Sequence, residues 1–536
     1  MTLVAIPLIA VTLLSAGAAG WSAWFRLTMA YSQNPWESSI LADAVRASRG
    51  QPVYESVKLP KGHATHLYGP LASQAVGIIY RVTGVNWYAG RALSLACALG
   101  ACAVILFSLA NRKRWLEMFV GAGLLLALHY RGRAYFVETR PDMIAVFLVT
   151  LALVAFCVAH RSGKLLWYLP GIALVITGML FKQTYAAAAA VPAGVIVLAV
   201  LGRRADVMNP ARHPALHAIA AVSPLVAVGG TLALMKFFAP NVWYHVITVP
   251  SLYKVPFTSL VFRTVQVLTL SPLFVALAVW FTIADRERVP KTRDPKMLWL
   301  VIATVVGSGA GVLAAAKRGG SYNSLLLGWV PMTAFCVAMI GPLLDRLTAR
   351  DATNERPMLA VGGGWLAALL IAVMTFDVPK SDLWNFEGAH GGPEFFRVVE
   401  AAKNLKGRIA CPDDPMLEFF ARGEVGRSLE AELDAVNRPA HLPERLANEL
   451  KGANWIIRVH GNYDGYFTAE MLASLGFRQA RDAGKPFGGK YTLWKQSPGA
   501  ATSVAAPSST SPTEKRRKAD AATAPPPVKL PPEEMP

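Results

Sequence analysis

Four short polar segments interrupt an otherwise apolar chain, and their residue types suit the handling of an anion. The first follows the chain break Asn34-Pro35, where Trp36-Glu37 opens a stretch of helical character over 37–48. The positive end of the helix macrodipole favours an ionised Glu37 at that start; simple helix-start capping is the alternative reading of the same residue. Asp43 lies six residues further on, roughly 600° around the helix, so these two carboxylates are not expected to form a dyad. The second segment is Tyr135-Phe-Val-Glu138-Thr-Arg140-Pro141-Asp142, ahead of an apolar run. Glu138 and Arg140 can pair there, and Asp142 can cap the helix that follows. The third is Phe181-Lys182-Gln183, a turn with almost no loop. Its lysine either snorkels to the headgroups or meets a phosphate as a point charge. The fourth is Lys317-Arg318-Gly-Gly-Ser-Tyr322-Asn323, where a glycine pair beside two cations lets backbone N–H groups approach an anion. Each segment is weak alone. Their convergence on one side of the membrane, argued next, points to a site for an anionic, lipid-linked substrate.

The composition requires that membrane. The chain has 536 residues, of which 54% are hydrophobic and 16% charged, whereas soluble domains carry about 25% charged residues. One large water-soluble enzyme is therefore excluded, as are collagen-like, disulfide-scaffold and wholly disordered chains. A helix needs roughly 20 mostly apolar residues to cross a bilayer. Such runs occur near 3–24, 87–110, 116–130, 142–159, 165–181, 185–201, 215–238, 259–283, 297–316, 323–343 and 358–376, about eleven spans. The first run lacks the Lys/Arg-rich start of a signal peptide and is read as a retained helix.

The net charge of +19 would suggest nucleic acid in a soluble protein. Its distribution says otherwise. One alternate set of short loops (111–114, 160–164, 202–212, 285–296 and 345–356) holds 16 Lys and Arg, against 7 in the opposite set. By the positive-inside rule the richer set is cytoplasmic, which places the four polar segments on the outer face. The excess is then mostly a topology signal, and no nucleic-acid partner is expected. Residues 1–376 form the expected membrane core, with 25–86 as a long first outer loop carrying amphipathic helices. Residues 377–497 are an expected small α/β domain on the outer face. GRIACP (407–412), NWIIRVH (454–460) and KYTLW (490–494) are its strands, and 393–405, 414–421, 441–451 and 467–475 its helices. The Pro-rich tail 498–536 cannot bury a core and is expected to be disordered.

Two patterns are set aside. Gly307-x-Gly309-x-Gly311 sits inside an apolar run and suits close helix packing better than a dinucleotide loop. His63-x-x-His66 has a ligand-like spacing but no third ligand near it. Four of the five cysteines lie in apolar runs and no CxxC occurs, which supports neither a zinc site nor a disulfide framework.

Several segments together resemble a family. WE (36–37), GQPVY (50–54), YGPL (68–71), GVNWYAGRALS (84–94), ETRPDM (138–143), FKQ (181–183) and KRGGSYN (317–323) occur in the order found in bacterial type-C (GT-C) membrane glycosyltransferases. The resemblance is to the protein mannosyltransferase and aminoarabinose transferase group, glycosyltransferase family 39 or the RgtA/B/C/D-like group, and it covers about residues 20–345. It implies a multispanning α-helical enzyme of the bacterial cytoplasmic (inner) membrane that takes a sugar from a polyprenyl-phosphate donor. The acceptor would be an envelope glycan, lipid or protein at the outer face. Glu37 matches the family's acidic residue of the first outer loop, base or metal ligand; Trp36 stands where an Asp often precedes it. The resemblance also implies phosphate or substrate contacts from Arg140, Lys182, Gln183, Lys317, Tyr322, Asn323 and Tyr68. It allows Mg²⁺ or Mn²⁺, with Glu138 and Asp142 as candidate ligands. A transporter or flippase for an envelope precursor, and a noncatalytic envelope scaffold, are the competing expectations.

Overall fold

The computed structural model describes residues 2–29, 31–56, 63–110, 114–201, 214–267, 295–317, 320, 322–348, 369, 394–436, 441–460, 464–480, 487 and 490–497. Long apolar helices dominate: α1 (Thr2–Thr28), α4 (Tyr88–Leu109), α5 (Trp115–Gly132), α6 (Asp142–Ser162), α7 (Tyr168–Phe181), α8 (Ala190–Leu201), α9 (Pro214–Phe238), α10 (Pro295–Ala316) and α11 (Leu326–Thr348). Among the described residues, six helices are long and apolar enough to cross a membrane, and three apolar helices are shorter. The chain is a multispanning helical membrane protein. Most of the expected span 259–283, all but Leu369 of 358–376, Arg318 and the tail lie outside the described residues.

Large apolar side chains such as Trp24, Phe237, Phe238 and Val305 stand on the outer surface of this core. That arrangement is stable only where lipid replaces water. Inside, α10 and α11 pack backbone against backbone: a Cβ at Gly307 would sit 2.1 Å from the carbonyl oxygen of Leu327, whereas Gly309 faces open space. The glycine run is a packing device, as expected.

Two helices between α1 and α4 stand apart, α2 (Pro35–Ser48) and α3 (Leu71–Thr83). Asn34 caps α2 with its side-chain oxygen on the Glu37 amide, and Pro35 occupies the first helical position. Twelve of the fourteen residues of α2 are buried, because it is covered on one side by the helical core and on the other by the C-terminal domain. That domain is a four-stranded mixed sheet of order β1-β2-β4-β3, with β1 (Ile409–Ala410) parallel to β2 (Trp455–Val459). β4 (Tyr491–Gln496) runs antiparallel to both β2 and β3 (Phe477–Gln479). Three of its strands and four of its helices overlap the expected segments, with β4 running two residues past 494 and the helix Pro415–Arg422 one past 421; β3 and the helix Leu429–Ala435 are additional. The sheet's apolar face joins Leu41 and Val45 of α2 and Val76 of α3 in one cluster, and Ser38 donates a hydrogen bond to Asp414. The segment between α1 and α4 and the C-terminal domain therefore lie on the same side of the membrane core.

Candidate functional site

The sharpest feature of the polar loops is a pair that the four polar segments do not contain. Arg91, the fourth residue of α4, holds Glu37 with two parallel bonds, Nε to Oε1 at 2.8 Å and Nη2 to Oε2 at 2.7 Å. Both side chains are fully buried. Glu37 also accepts from the backbone amides of Gln33 (2.8 Å) and Thr139 (3.0 Å). Arg91 spends its remaining donors on the carbonyls of Arg26, Met29 and Tyr31. Burial alone would raise the Glu37 carboxyl, but the Arg91 charge, its hydrogen bonds and the two amides hold it below the ordinary value. An acid so saturated ties the turn 26–37 to α4 and to the 138–140 loop.

Beside it lies a second carboxylate with different surroundings. Arg140 Nε donates to Glu138 Oε1 at 2.6 Å, and Asn34 Nδ2 donates to the same oxygen at 2.5 Å. Glu138 Oε2 is buried without a partner among the described residues. Burial, with Glu37 nearby, pushes the Glu138 carboxyl above its usual range despite the Arg140 guanidinium. The guanidinium also reaches Tyr68 Oη (3.2 Å) and Asn34 Oδ1 (3.3 Å) and lies over the rings of Tyr135 and Trp36.

Lys182 and Asp142 continue the cluster. Lys182 Nζ donates to Asp142 Oδ1 at 2.5 Å and stands 5.7 Å from the Tyr68 ring centre. Asn323 donates to Asp142 Oδ2 at 3.3 Å. Gln183 instead holds the loop, donating to the carbonyl of Leu67 at 3.0 Å. Tyr68 is fixed by its own backbone: its carbonyl accepts from Tyr54 Oη at 2.6 Å, and the next residue, Gly69, donates to Phe181 at 3.0 Å. A Cβ at Gly69 would fall 2.0 Å from the Leu180 carbonyl oxygen, so glycine is required for that close approach.

Lys317 and Tyr322 form a neighbouring group. Lys317 donates to the carbonyl of Pro250 at 2.9 Å. Tyr322 Oη accepts from Gln266 Nε2 at 2.7 Å, and Arg263 lies 4.7 Å from its ring centre. Arg263 and Gln266 lie in the expected apolar span 259–283, where two strongly polar residues three positions apart were the available signal. Tyr322 and Asn323 are sequence neighbours, so the two groups adjoin.

The donor set does not fit a divalent ion. The two expected ligands, Glu138 and Asp142, each already face a cation, Arg140 and Lys182. Among the described residues no group of three His, Cys, Asp or Glu side chains could hold a metal. Asp43 has a separate set of partners from Glu37, accepting from Thr65 and Arg46. The arrangement brings three cations, two amides and one under-satisfied carboxylate together at one end of an apolar bundle.

The sequence matches no protein-family model and no curated protein. The fold is similar to that of ArnT from Cupriavidus metallidurans in the apo state, with a TM-score of 0.52 at 14% identity, covering 90% of this chain and 97% of that one. ArnT bound to undecaprenyl phosphate gives 0.49 at 13% identity, covering 92% and 99%. The apo oligosaccharyltransferase of Archaeoglobus fulgidus gives 0.49 at 12% identity, covering 88% of this chain and 72% of that one.

Proposed function

We propose that this chain is a membrane glycosyltransferase that moves a sugar from a polyprenyl-phosphate donor to an envelope glycan, lipid or protein. One observation carries the reading. Asn34, Tyr68, Glu138, Arg140, Asp142, Lys182 and Asn323 come from five separate stretches of sequence and meet in one buried polar cluster at the end of an apolar bundle. Cations gathered at the end of such a bundle need an anionic partner, and a lipid-linked phosphate gives them one. The resemblance to type-C enzymes and the fold similar to ArnT support the same class.

In this reading the donor's phosphate sits against Lys182 and Arg140. Lys182 commits one of three N–H donors to Asp142, leaving two for phosphate oxygens. Glu138 is the general base: its raised carboxyl and bare Oε2 suit proton removal, while Glu37, saturated by Arg91, is a positioning residue. The acceptor hydroxyl loses its proton to Glu138 Oε2 as its oxygen bonds to the sugar's anomeric carbon. The bond from that carbon to the phosphate oxygen breaks on the opposite face, and polyprenyl phosphate leaves with the electron pair, stabilised by the two cations. The site and the C-terminal domain face the outside of a bacterial cytoplasmic membrane, an orientation supported by the loop charges.

The test is transfer by purified protein in vesicles, supplied in turn with polyprenyl-phosphate sugars and an envelope extract. Wild type should release polyprenyl phosphate and label an acceptor, and Glu138→Gln should not. Substrate movement across the vesicle membrane without bond cleavage would overturn the reading in favour of a transporter.

A further inference from the structure

A cavity of about 330 Å³ runs through the membrane core between α4, α6, α10 and α11. Its wall follows α6 from Val146, one turn below Asp142, to Arg161, a run of about 22 Å at 1.5 Å per residue. The wall is apolar, with Val149, Leu153, Ala303 and Val330 typical of it. The mouth far from the polar cluster is different. Arg161 is exposed there and makes no ion pair among the described residues. Lys296 lines the same cavity and donates to the Ser108 carbonyl at 3.3 Å, which ties the start of α10 to the end of α4. One turn deeper, Trp299 lines the cavity at 5% exposure, and its indole N–H finds no acceptor among the described residues. A buried donor left unpaired costs about 1–3 kcal/mol.

We infer that this mouth is a binding site for an anionic diacyl phospholipid of the leaflet opposite the catalytic cluster. The phosphate lies between Arg161 and Lys296. An ester carbonyl one level deeper accepts from the Trp299 indole, and an acyl chain fills the apolar cavity. Two cations on one cavity exceed the charge of one phosphate, which favours a headgroup without an amine of its own. A polyprenyl phosphate carries the phosphate but no ester carbonyl for the indole. The site stands on residues outside the proposed catalytic cluster, so its failure leaves that reading intact.

Native mass spectrometry of the full chain, released from nanodiscs of mixed phosphatidylglycerol and phosphatidylcholine, tests it. Wild type should retain one phosphatidylglycerol in preference to phosphatidylcholine. The double variant Arg161→Gln/Lys296→Gln should retain about 25-fold less, at about 1 kcal/mol per cation near a membrane surface. Trp299→Phe keeps the apolar bulk and removes the donor; it should weaken retention about tenfold for a hydrogen bond of 1–2 kcal/mol. Equal retention of both lipids, unchanged retention in the double variant, or displacement of the phospholipid by undecaprenyl phosphate would overturn the assignment. Displacement would make the cavity the polyprenyl chain's own seat.

Discussion

Arg91 and Glu37 form a bidentate ion pair with both side chains fully buried, 54 residues apart in sequence. The pair gathers the backbone of 26–33, the start of α2, α4 and the 138–140 loop around one charge. Breaking a buried pair from one side leaves an uncompensated charge, which costs about 3–5 kcal/mol. Arg91→Met and Glu37→Gln should therefore both lower the thermal unfolding midpoint and expose the 26–37 turn to protease. Glu37→Gln that leaves stability intact while abolishing transfer would return the base role to Glu37.

Glu138 gives the complementary result. Its Oε2 is free to take a proton, and general base catalysis is worth about 10²–10⁴-fold. Glu138→Gln should lose transfer by that order with a smaller loss of stability than Glu37→Gln. Burial raises its carboxyl, and only the ionised form accepts a proton. The rate in wild type should thus rise with pH through a value above the ordinary glutamate range. A rate flat across that range would exclude Glu138 as the base.

Much of this cluster was legible in the sequence. Glu138, Arg140, Asp142 and Lys182 stand at the ends of apolar runs, where polar residues are conspicuous, and the polar segments themselves named them. Arg91 was not, because it lies just inside the apolar run 87–110. An arginine there is costly enough to demand a buried acid, and that demand pairs it with Glu37. The different surroundings of Glu37 and Glu138 were out of reach, since they depend on which carboxylate the backbone amides of Gln33 and Thr139 approach. In the C-terminal domain the apolar strands β1, β2 and β4 announced themselves. The three-residue β3 was too short for alternation to appear, and the helix Leu429–Ala435 is acidic rather than amphipathic in pattern.

Gly69 tests how Tyr68 is placed. A methyl group there meets the Leu180 carbonyl oxygen at 2.0 Å, so Gly69→Ala must push the loop off α7. Tyr68 then leaves Arg140, and transfer should fall about tenfold or more, as small misplacements in catalytic clusters cost. Unchanged kcat and KM in Gly69→Ala would show that the Tyr68 contact is dispensable.

The C-terminal domain carries its own pH signature. Burial pushes Asp414 up to about 6 and Glu418 up to about 8. Folded values above the unfolded ones favour the protonated forms. The resulting stabilisation is complete below about pH 4 and is lost as pH rises through about 6 and then about 8. With other groups held constant, the domain's unfolding free energy should fall on the order of 5 kcal/mol between pH 5 and pH 9. Glu418→Gln should remove most of the upper step, as read from thermal unfolding in buffers across that range. A domain equally stable at both ends would contradict this burial.

The central claim is that the outer cluster transfers a sugar from a lipid-linked donor. The most direct measurement is paired lipid and glycan profiling of a deletion strain, complemented with wild type or with Glu138→Gln. Without the wild-type chain, one polyprenyl-phosphate sugar should accumulate, and one envelope glycan, lipid or protein should lack that sugar. Wild type should restore it and Glu138→Gln should not. Identical profiles in all strains, or full restoration by Glu138→Gln, would contradict the account.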